Sequence, residues 1–128
     1  MAGFPEAVRD EILTARLVTP TTYFALFVGD PEGAGTEVSG NGYARQLITF
    51  GAAATGGGAV RQTQNTNAPT DTASGGNWGT VDYGAIYDAV TAGNRIHSGA
   101  LTTAEAINDG NSYTLAIGAY TATLEPAP

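Results

Sequence analysis

The stretch that most constrains the fold of this chain is Glu37–Phe50, EVSGNGYARQLITF. Asn41-Gly42 is a strong signal for a tight turn, because both residue types tolerate the positive φ angles that such turns require. Side chains then alternate between two faces. One face would carry Tyr43, Arg45, Leu47 and Thr49, and the other Ala44, Gln46, Ile48 and Phe50. The stretch therefore predicts a turn that leads into a half-buried strand.

Short β-rich runs separated by Gly or Asn-Gly turns continue along the chain. The predicted runs are Tyr23–Val28, Trp78–Asp88, Arg95–Leu101, Ser112–Ile117 and Tyr120–Leu124. Tyr23–Val28 is nearly apolar on both sides, which is typical of a central strand covered on both faces. Trp78–Asp88 and Arg95–Leu101 flank a turn at Ala92–Asn94, so we expect them to pair as a hairpin.

One helix and one long loop complete the predicted organisation. The helix spans residues 5–17, because Pro5 suits a first helical position and Phe4, Val8 and Ile12 recur every four residues. Residues 51–77 form a long polar loop in which only Ala59–Thr63 resembles a strand. We therefore predict an all-β fold, an antiparallel β-sandwich of about six or seven strands with one short N-terminal helix. Its 128 residues would form a single domain, 1–128.

Charge and composition exclude several classes of partner. Twelve acidic residues outnumber five arginines, and the formal net charge is −7. Because a surface that follows phosphates needs clustered basic residues and these arginines are scattered, we expect no nucleic-acid partner. No apolar run approaches the roughly 20 residues that span a bilayer, so we expect no membrane partner. The composition favours a soluble protein made in the cytoplasm, or one that docks on a basic protein surface.

Catalytic and metal-binding patterns are absent from the sequence. His97 is the only histidine, and neither G-x-S-x-G nor H-E-x-x-H occurs. We interpret His97 as a structural residue, with Asp82 or Asp88 as its cross-strand partner. No cysteine is present, and no D-x-[DN]-x-[DN]-G loop gathers the turn carboxylates into a calcium site. We predict no catalytic residue, no cofactor and no metal.

Aromatic residues and arginines supply the candidate interface. Trp78 with nearby tyrosines could stack on sugars, but aromatic residues at a spacing of two normally fill a core or an interface. Arg45 beside Tyr43 could bind a carboxylate across an interface, or form a salt bridge within its own chain, and the sequence leaves both open. The candidate interface residues are Phe4, Val8, Ile12, Tyr43, Arg45, Trp78 and Tyr87.

Several segments, taken in order, resemble a family of small bacteriophage virion proteins that are described as tail fibre-like or minor structural proteins. The matching segments are YFALFVGDP, GTEVSGNGYARQLITFGAA, NWGTVDYGAIYDA, GNRIHSGALT and GNSYTLAIGAYTATL. The resemblance covers nearly the whole chain. It implies a β-sandwich-like component of the virion that acts by contact, without enzymatic activity.

Two locations in the virion follow from this resemblance. The main hypothesis is a capsid decoration protein, also called a cement or minor capsid protein, which binds the major capsid protein outside the head and stabilises the assembled shell by mass action. The alternative is a tail, tail-tip or fibre component bound to tail proteins, and a carbohydrate-binding module is the weakest interpretation. We expect a homo-oligomer, a trimer, with the helix 5–17 and the loop 51–77 as contact surfaces.

Overall fold

The computed structural model describes residues 4–55 and 60–124. As predicted, the fold is all-β and antiparallel with one short N-terminal helix, although the described residues form ten strands, more than expected. Helical residues are α1, Glu6–Leu13, and a π-helical turn, Thr14–Val18. The strands are β1 Thr22–Val28, β2 Thr36–Glu37, β3 Gln46–Ile48, β4 Ala54–Thr55, β5 Arg61–Gln64, β6 Thr70–Thr72, β7 Gly79–Tyr87, β8 Arg95–Ile107, β9 Ser112–Thr114 and β10 Thr121–Leu124. The glycines at 56–58, predicted as a turn, and the C-terminal residues 125–128 lie outside the described residues.

The strands form three sheets in a sandwich-like arrangement. The main sheet has five strands in the order β2-β1-β7-β8, with β3 also paired to β1. A three-stranded sheet, β10-β5-β4, and a two-stranded sheet, β6-β9, supply the second layer. The main hydrophobic core joins side chains of the main sheet to Tyr113, Tyr120 and Ala122 of the second layer. Burial between two layers is therefore what holds the sheets together.

Strand β1 is central and covered on both faces, as its sequence predicts. Phe24 and Leu26 point into the main core. Ala25 and Phe27 point the other way and pack against Ala85 in a second, smaller cluster. Because successive side chains of a strand alternate, a run that is apolar on both sides satisfies two cores at once.

The edge beside β1 differs from the single strand predicted over residues 43–50. Strands β2 and β3 pair with β1 one after the other along the same edge, and residues 39–45 leave the edge between them. The predicted alternation holds only after this excursion, where Ile48 and Phe50 are buried and Leu47 is exposed. The Asn41-Gly42 turn is confirmed, with φ angles of 53° and 81° and a 3.0 Å hydrogen bond from the Tyr43 amide to the Gly40 carbonyl.

The hairpin of β7 and β8 is also confirmed, but Val81 and Tyr83, whose spacing of two would place them on one face of β7, lie in different hydrophobic clusters. The register of the pair shifts between Val81 and Tyr83. This bulge reverses the alternation, so that Val81 joins the main core with Ile86, while Tyr83 packs against the second cluster with Ala85. A bulge inserts an unpaired residue, and a simple count of two along the sequence cannot show it.

The buried face of the helix lies beside the face that carries Phe4, Val8 and Ile12, the residues whose spacing predicted the helix. Its buried residues are Arg9, Leu13 and Leu17, whereas Phe4 is 53 % exposed and Val8 and Ile12 are only half-buried. Leu13 and Leu17, four residues apart on the neighbouring face, fill the core instead of Phe4, Val8 and Ile12. Neither described helix is long and apolar enough to cross a bilayer.

An ion pair fixes the helix to the second layer. The guanidinium of Arg61 on β5 donates to both carboxylate oxygens of Asp10, at 2.6 and 3.0 Å. Three short strands, β4, β5 and β6, occupy much of the region predicted as the loop 51–77. Strand β5 of this region, together with β10, supplies the surface on which α1 lies.

Candidate interaction site

A cluster of four side chains closes the interrupted edge of the main sheet. We call Glu37, Tyr43, Arg45 and Tyr87 the edge cluster. The Tyr43 hydroxyl accepts a hydrogen bond from the Leu26 amide at 3.1 Å and donates one to Glu37 Oε2 at 2.7 Å. It takes the position of a backbone carbonyl at the point where the neighbouring strand is interrupted. The edge of β1 stays hydrogen-bonded although the chain has left it.

Arg45 is held by partners within its own chain. Its Nε and Nη2 atoms donate to the two carboxylate oxygens of Glu37, both at 2.9 Å. Its Nη1 atom donates to the carbonyls of Ala89 and Ala92 at 3.0 and 2.6 Å. The guanidinium carbon lies 3.6 Å from the centre of the Tyr87 ring. Of the two roles that the sequence left open, the structure shows the intrachain salt bridge.

The electrostatics of the edge cluster oppose proton transfer. Burial, together with the hydrogen bond to Glu37, raises the pKa of the Tyr43 hydroxyl well above its usual range. The hydrogen bond to Glu37 raises the pKa of Arg45 as well. Near neutral pH, Tyr43 stays protonated and Arg45 stays charged. The cluster has the properties of a structural clamp.

Trp78 cannot offer a flat face to a sugar, which contradicts the carbohydrate-binding interpretation. Its side chain is only 6 % exposed. The indole Nε1 donates to the Asn41 carbonyl at 3.0 Å, and the ring meets Tyr43 edge-on with centres 5.5 Å apart. Trp78 supports the turn at residues 41–42 from beneath and joins it to the edge cluster.

His97 pairs with a tyrosine, and the predicted pairing with Asp82 or Asp88 is wrong. Its Nδ1 atom lies 2.8 Å from the Tyr120 hydroxyl, and burial lowers the pKa of the imidazole. The two aspartates instead accept backbone hydrogen bonds: Asp82 from Gly29 and Asp88 from Asn94, each at 2.7 Å. Within the described residues, no group of three or more His, Cys, Asp or Glu side chains could hold a metal ion.

The structure brings together only part of the predicted interface. Tyr43, Arg45, Tyr87 and Trp78 form one connected set, through the ring contact of Trp78 with Tyr43 and the stacking of Arg45 on Tyr87. Phe4, Val8 and Ile12 belong to the N-terminal helical region and are absent from the contacts of that set. Contact of any of these residues with another protein stays a prediction.

A groove that the sequence did not predict runs beside β8. It has a volume of about 270 Å³ and lies between β8 and residues 113–121. His97 and Leu101 contribute to one wall, and Tyr113 and Tyr120 to the other. The two walls are far apart in sequence, so no local pattern could have indicated the groove.

The fold defines a β-sandwich-like protein in which Tyr43, Arg45 and Asn67 hold the edge of the main sheet through hydrogen bonds within the chain. Residues 6–123 match the family described as Podophage GP4 fiber I protein gp80. The chain belongs to this family, which makes it a bacteriophage structural protein and confirms the resemblance seen in the sequence. No match was found among curated proteins.

Proposed function

We propose that this protein is a fibre subunit of the phage tail, and that it acts by binding neighbouring virion proteins without catalysing a reaction. The observation that carries the proposal is the match of residues 6–123 to a fibre protein family. This proposal favours the tail over the head, where the sequence alone led us to expect a capsid decoration protein.

The partners of the potentially reactive side chains support a role in binding other proteins rather than in catalysis. Arg45 is occupied by Glu37 and two carbonyls. His97 is paired with Tyr120 beside the groove, and its lowered pKa keeps the imidazole neutral near pH 7. A general acid or base must be able to reach a substrate proton, and these groups already have partners.

Charge indicates the kind of surface that the protein binds. The chain carries a net charge of −7, and Arg45, Arg61 and Arg95 each form an ion pair with a carboxylate of the same chain. The carboxylates in excess therefore give the protein surface a negative electrostatic potential. We propose that the neighbouring virion protein offers a basic surface, so that binding weakens as salt rises.

Location and copy number on the intact virion test the proposal. A gold-labelled antibody against this chain, or a cryo-EM map of the particle, should place the protein on the tail in a small number of copies. Antibody pre-absorbed with the purified protein is the matched control. Label on the head in hundreds of copies would refute the fibre role and support the decoration role. Hydrolysis of host-surface glycans that disappears in His97→Ala would refute the non-enzymatic role.

A further inference from the structure

We propose that the free edge of β8 pairs with β8 of a second copy of this chain. The pairing is antiparallel and two-fold symmetric, and it joins two main sheets into one. Such a contact is isologous, because the same surface of each copy meets the other. The inference does not depend on the virion location proposed above.

The hydrogen-bond directions of the main sheet identify which backbone groups of β8 are free. Leu26 directs its carbonyl to Val38 and its amide to Tyr43, both on the edge opposite β7. In an antiparallel ladder successive residues direct these groups to opposite sides. Leu26 lies opposite Gly84, and Gly84 lies opposite Gly99, so the amide and carbonyl of Gly99 are directed towards β7. Ser98 and Ala100, the neighbours of Gly99, therefore direct their amides and carbonyls away from the sheet.

The opposite edge of the main sheet is closed by side chains. The Asn67 amide group donates to the Leu47 carbonyl at 2.9 Å and accepts from the Thr49 amide at 3.0 Å. At the interruption between β2 and β3, the Tyr43 hydroxyl accepts a hydrogen bond from the Leu26 amide. These side chains occupy backbone groups that another strand would otherwise bind, which is one way in which proteins protect a sheet edge.

The β8 edge has no such protection. Among the described residues, no hydrogen bond other than those to β7 reaches a backbone group of residues 96–106. The segment contains neither lysine nor proline, the residues that commonly block an edge. Residues 97–100, the part of this edge that lies between the two register shifts of the hairpin, present unpaired amides and carbonyls at Ser98 and Ala100 and can serve as a template for another strand.

Charge selects a second copy as the occupant, in an antiparallel orientation. Each chain carries a net charge of −7, but residues 96–104 contain no Asp, Glu, Lys or Arg, so two copies can approach here with little repulsion. Arg95 and Glu105 stand at opposite ends of this uncharged stretch. Antiparallel pairing brings Arg95 of each copy, which also contacts Glu32 of its own chain at 3.2 Å, towards Glu105 of the other copy. Parallel pairing would bring like charges together.

The mass of the purified protein tests the pairing. Sedimentation equilibrium over protomer concentrations from about 1 to about 100 µM should show a dimer for the wild type. Ala100→Lys places two like charges together at the centre of the pairing, and should raise the dissociation constant at least about tenfold. Thr123→Lys makes the same change of charge at an exposed position of β10 and should leave the dimer intact.

Further variants keep the test informative if Ala100→Lys fails to fold, as judged by circular dichroism. Ser98→Lys probes the other outward residue of the edge and should also give monomers. Glu105→Arg should weaken the dimer, and the double variant Arg95→Glu/Glu105→Arg should restore it. A monomeric or trimeric wild type would overturn the proposal. So would an undiminished dimer in folded Ala100→Lys or Ser98→Lys, or in Glu105→Arg.

Discussion

Two glycines that face each other in the β7–β8 hairpin should respond in opposite ways to the same substitution. Gly84 and Gly99 are direct partners in the register. A Cβ atom at Gly84 would lie 2.6 Å from Cε1 of Phe24, whereas a Cβ at Gly99 would meet nothing within 4 Å. We therefore expect Gly84→Ala to destabilise the protein and Gly99→Ala to stabilise it.

The size of each change in unfolding free energy depends on whether the neighbouring side chains can move to make room for the added Cβ atom. Phe24 is buried, and its ring packs against Tyr113 and Tyr120 with centres 6.3 and 6.1 Å away. Its ring cannot yield without disturbing those neighbours, so Gly84→Ala should cost about 1–3 kcal/mol of unfolding free energy. Gly99→Ala removes the entropy penalty of glycine in a strand and adds no clash, so it should contribute about 0.5–1 kcal/mol.

Urea unfolding followed by circular dichroism measures both effects on one scale. The difference between the two variants should be about 1.5–4 kcal/mol, and should also separate their melting temperatures by several degrees. Equal stabilities, or a Gly84→Ala protein more stable than the wild type, would refute the proposed tight packing of Phe24 against β7.

Three further predictions concern the edge cluster and the buried histidine. Tyr43→Phe leaves the buried Leu26 amide without its acceptor and should cost about 1–3 kcal/mol in urea unfolding. Tyr23→Phe, at a half-buried residue whose hydroxyl forms no hydrogen bond among the described residues, should cost almost nothing, and equal losses would contradict the role of the Tyr43 hydroxyl. Arg45→Lys keeps the charge but loses the two-pronged contact, so it should cost about 1–2 kcal/mol, and an unchanged midpoint would count against the clamp. Burial holds the pKa of His97 below its ordinary 6.5, so protonation of His97 favours the unfolded chain and stability falls as pH drops below that value. His97→Gln should flatten the dependence of melting temperature on pH in this range. An identical slope in both proteins would disprove that His97 causes the loss of stability.

Local signals were the part of this fold that the sequence could predict. The turn at Asn41-Gly42 was found because its two residues carry the conformational requirement themselves. The central position of β1 and the hairpin of β7 with β8 were found because each depends on one continuous run of residues and a short connection. The family resemblance added the class of protein, since its segments recur in order along the chain.

Features that depend on two distant segments could not be predicted in the same way. The bulge beside Asp82 is fixed by pairing with β8, and it moved Val81 to the other face. The edge cluster needs the chain to leave β1 and return, and Arg45 then finds the carbonyls of Ala89 and Ala92 more than 40 residues away. Candidate residues were therefore easier to name from sequence than their partners.

The pairing of β5 with β10 has a consequence for the rate at which the protein folds. Gln64 lies opposite Thr121, at a sequence separation of 57 residues, whereas Glu37 and Tyr43 are separated by only six. Contacts of short range form within microseconds, but distant strands must first lose the entropy of closing a long loop. The pairing of β1 with β7 in the main sheet closes loops of similar length, since Phe27 lies opposite Tyr83. Both pairings should therefore form slowly, and complete folding should take milliseconds to seconds. Until both long-range pairings have formed, the apolar side chains of the core remain open to solvent, so partly folded chains are exposed to aggregation.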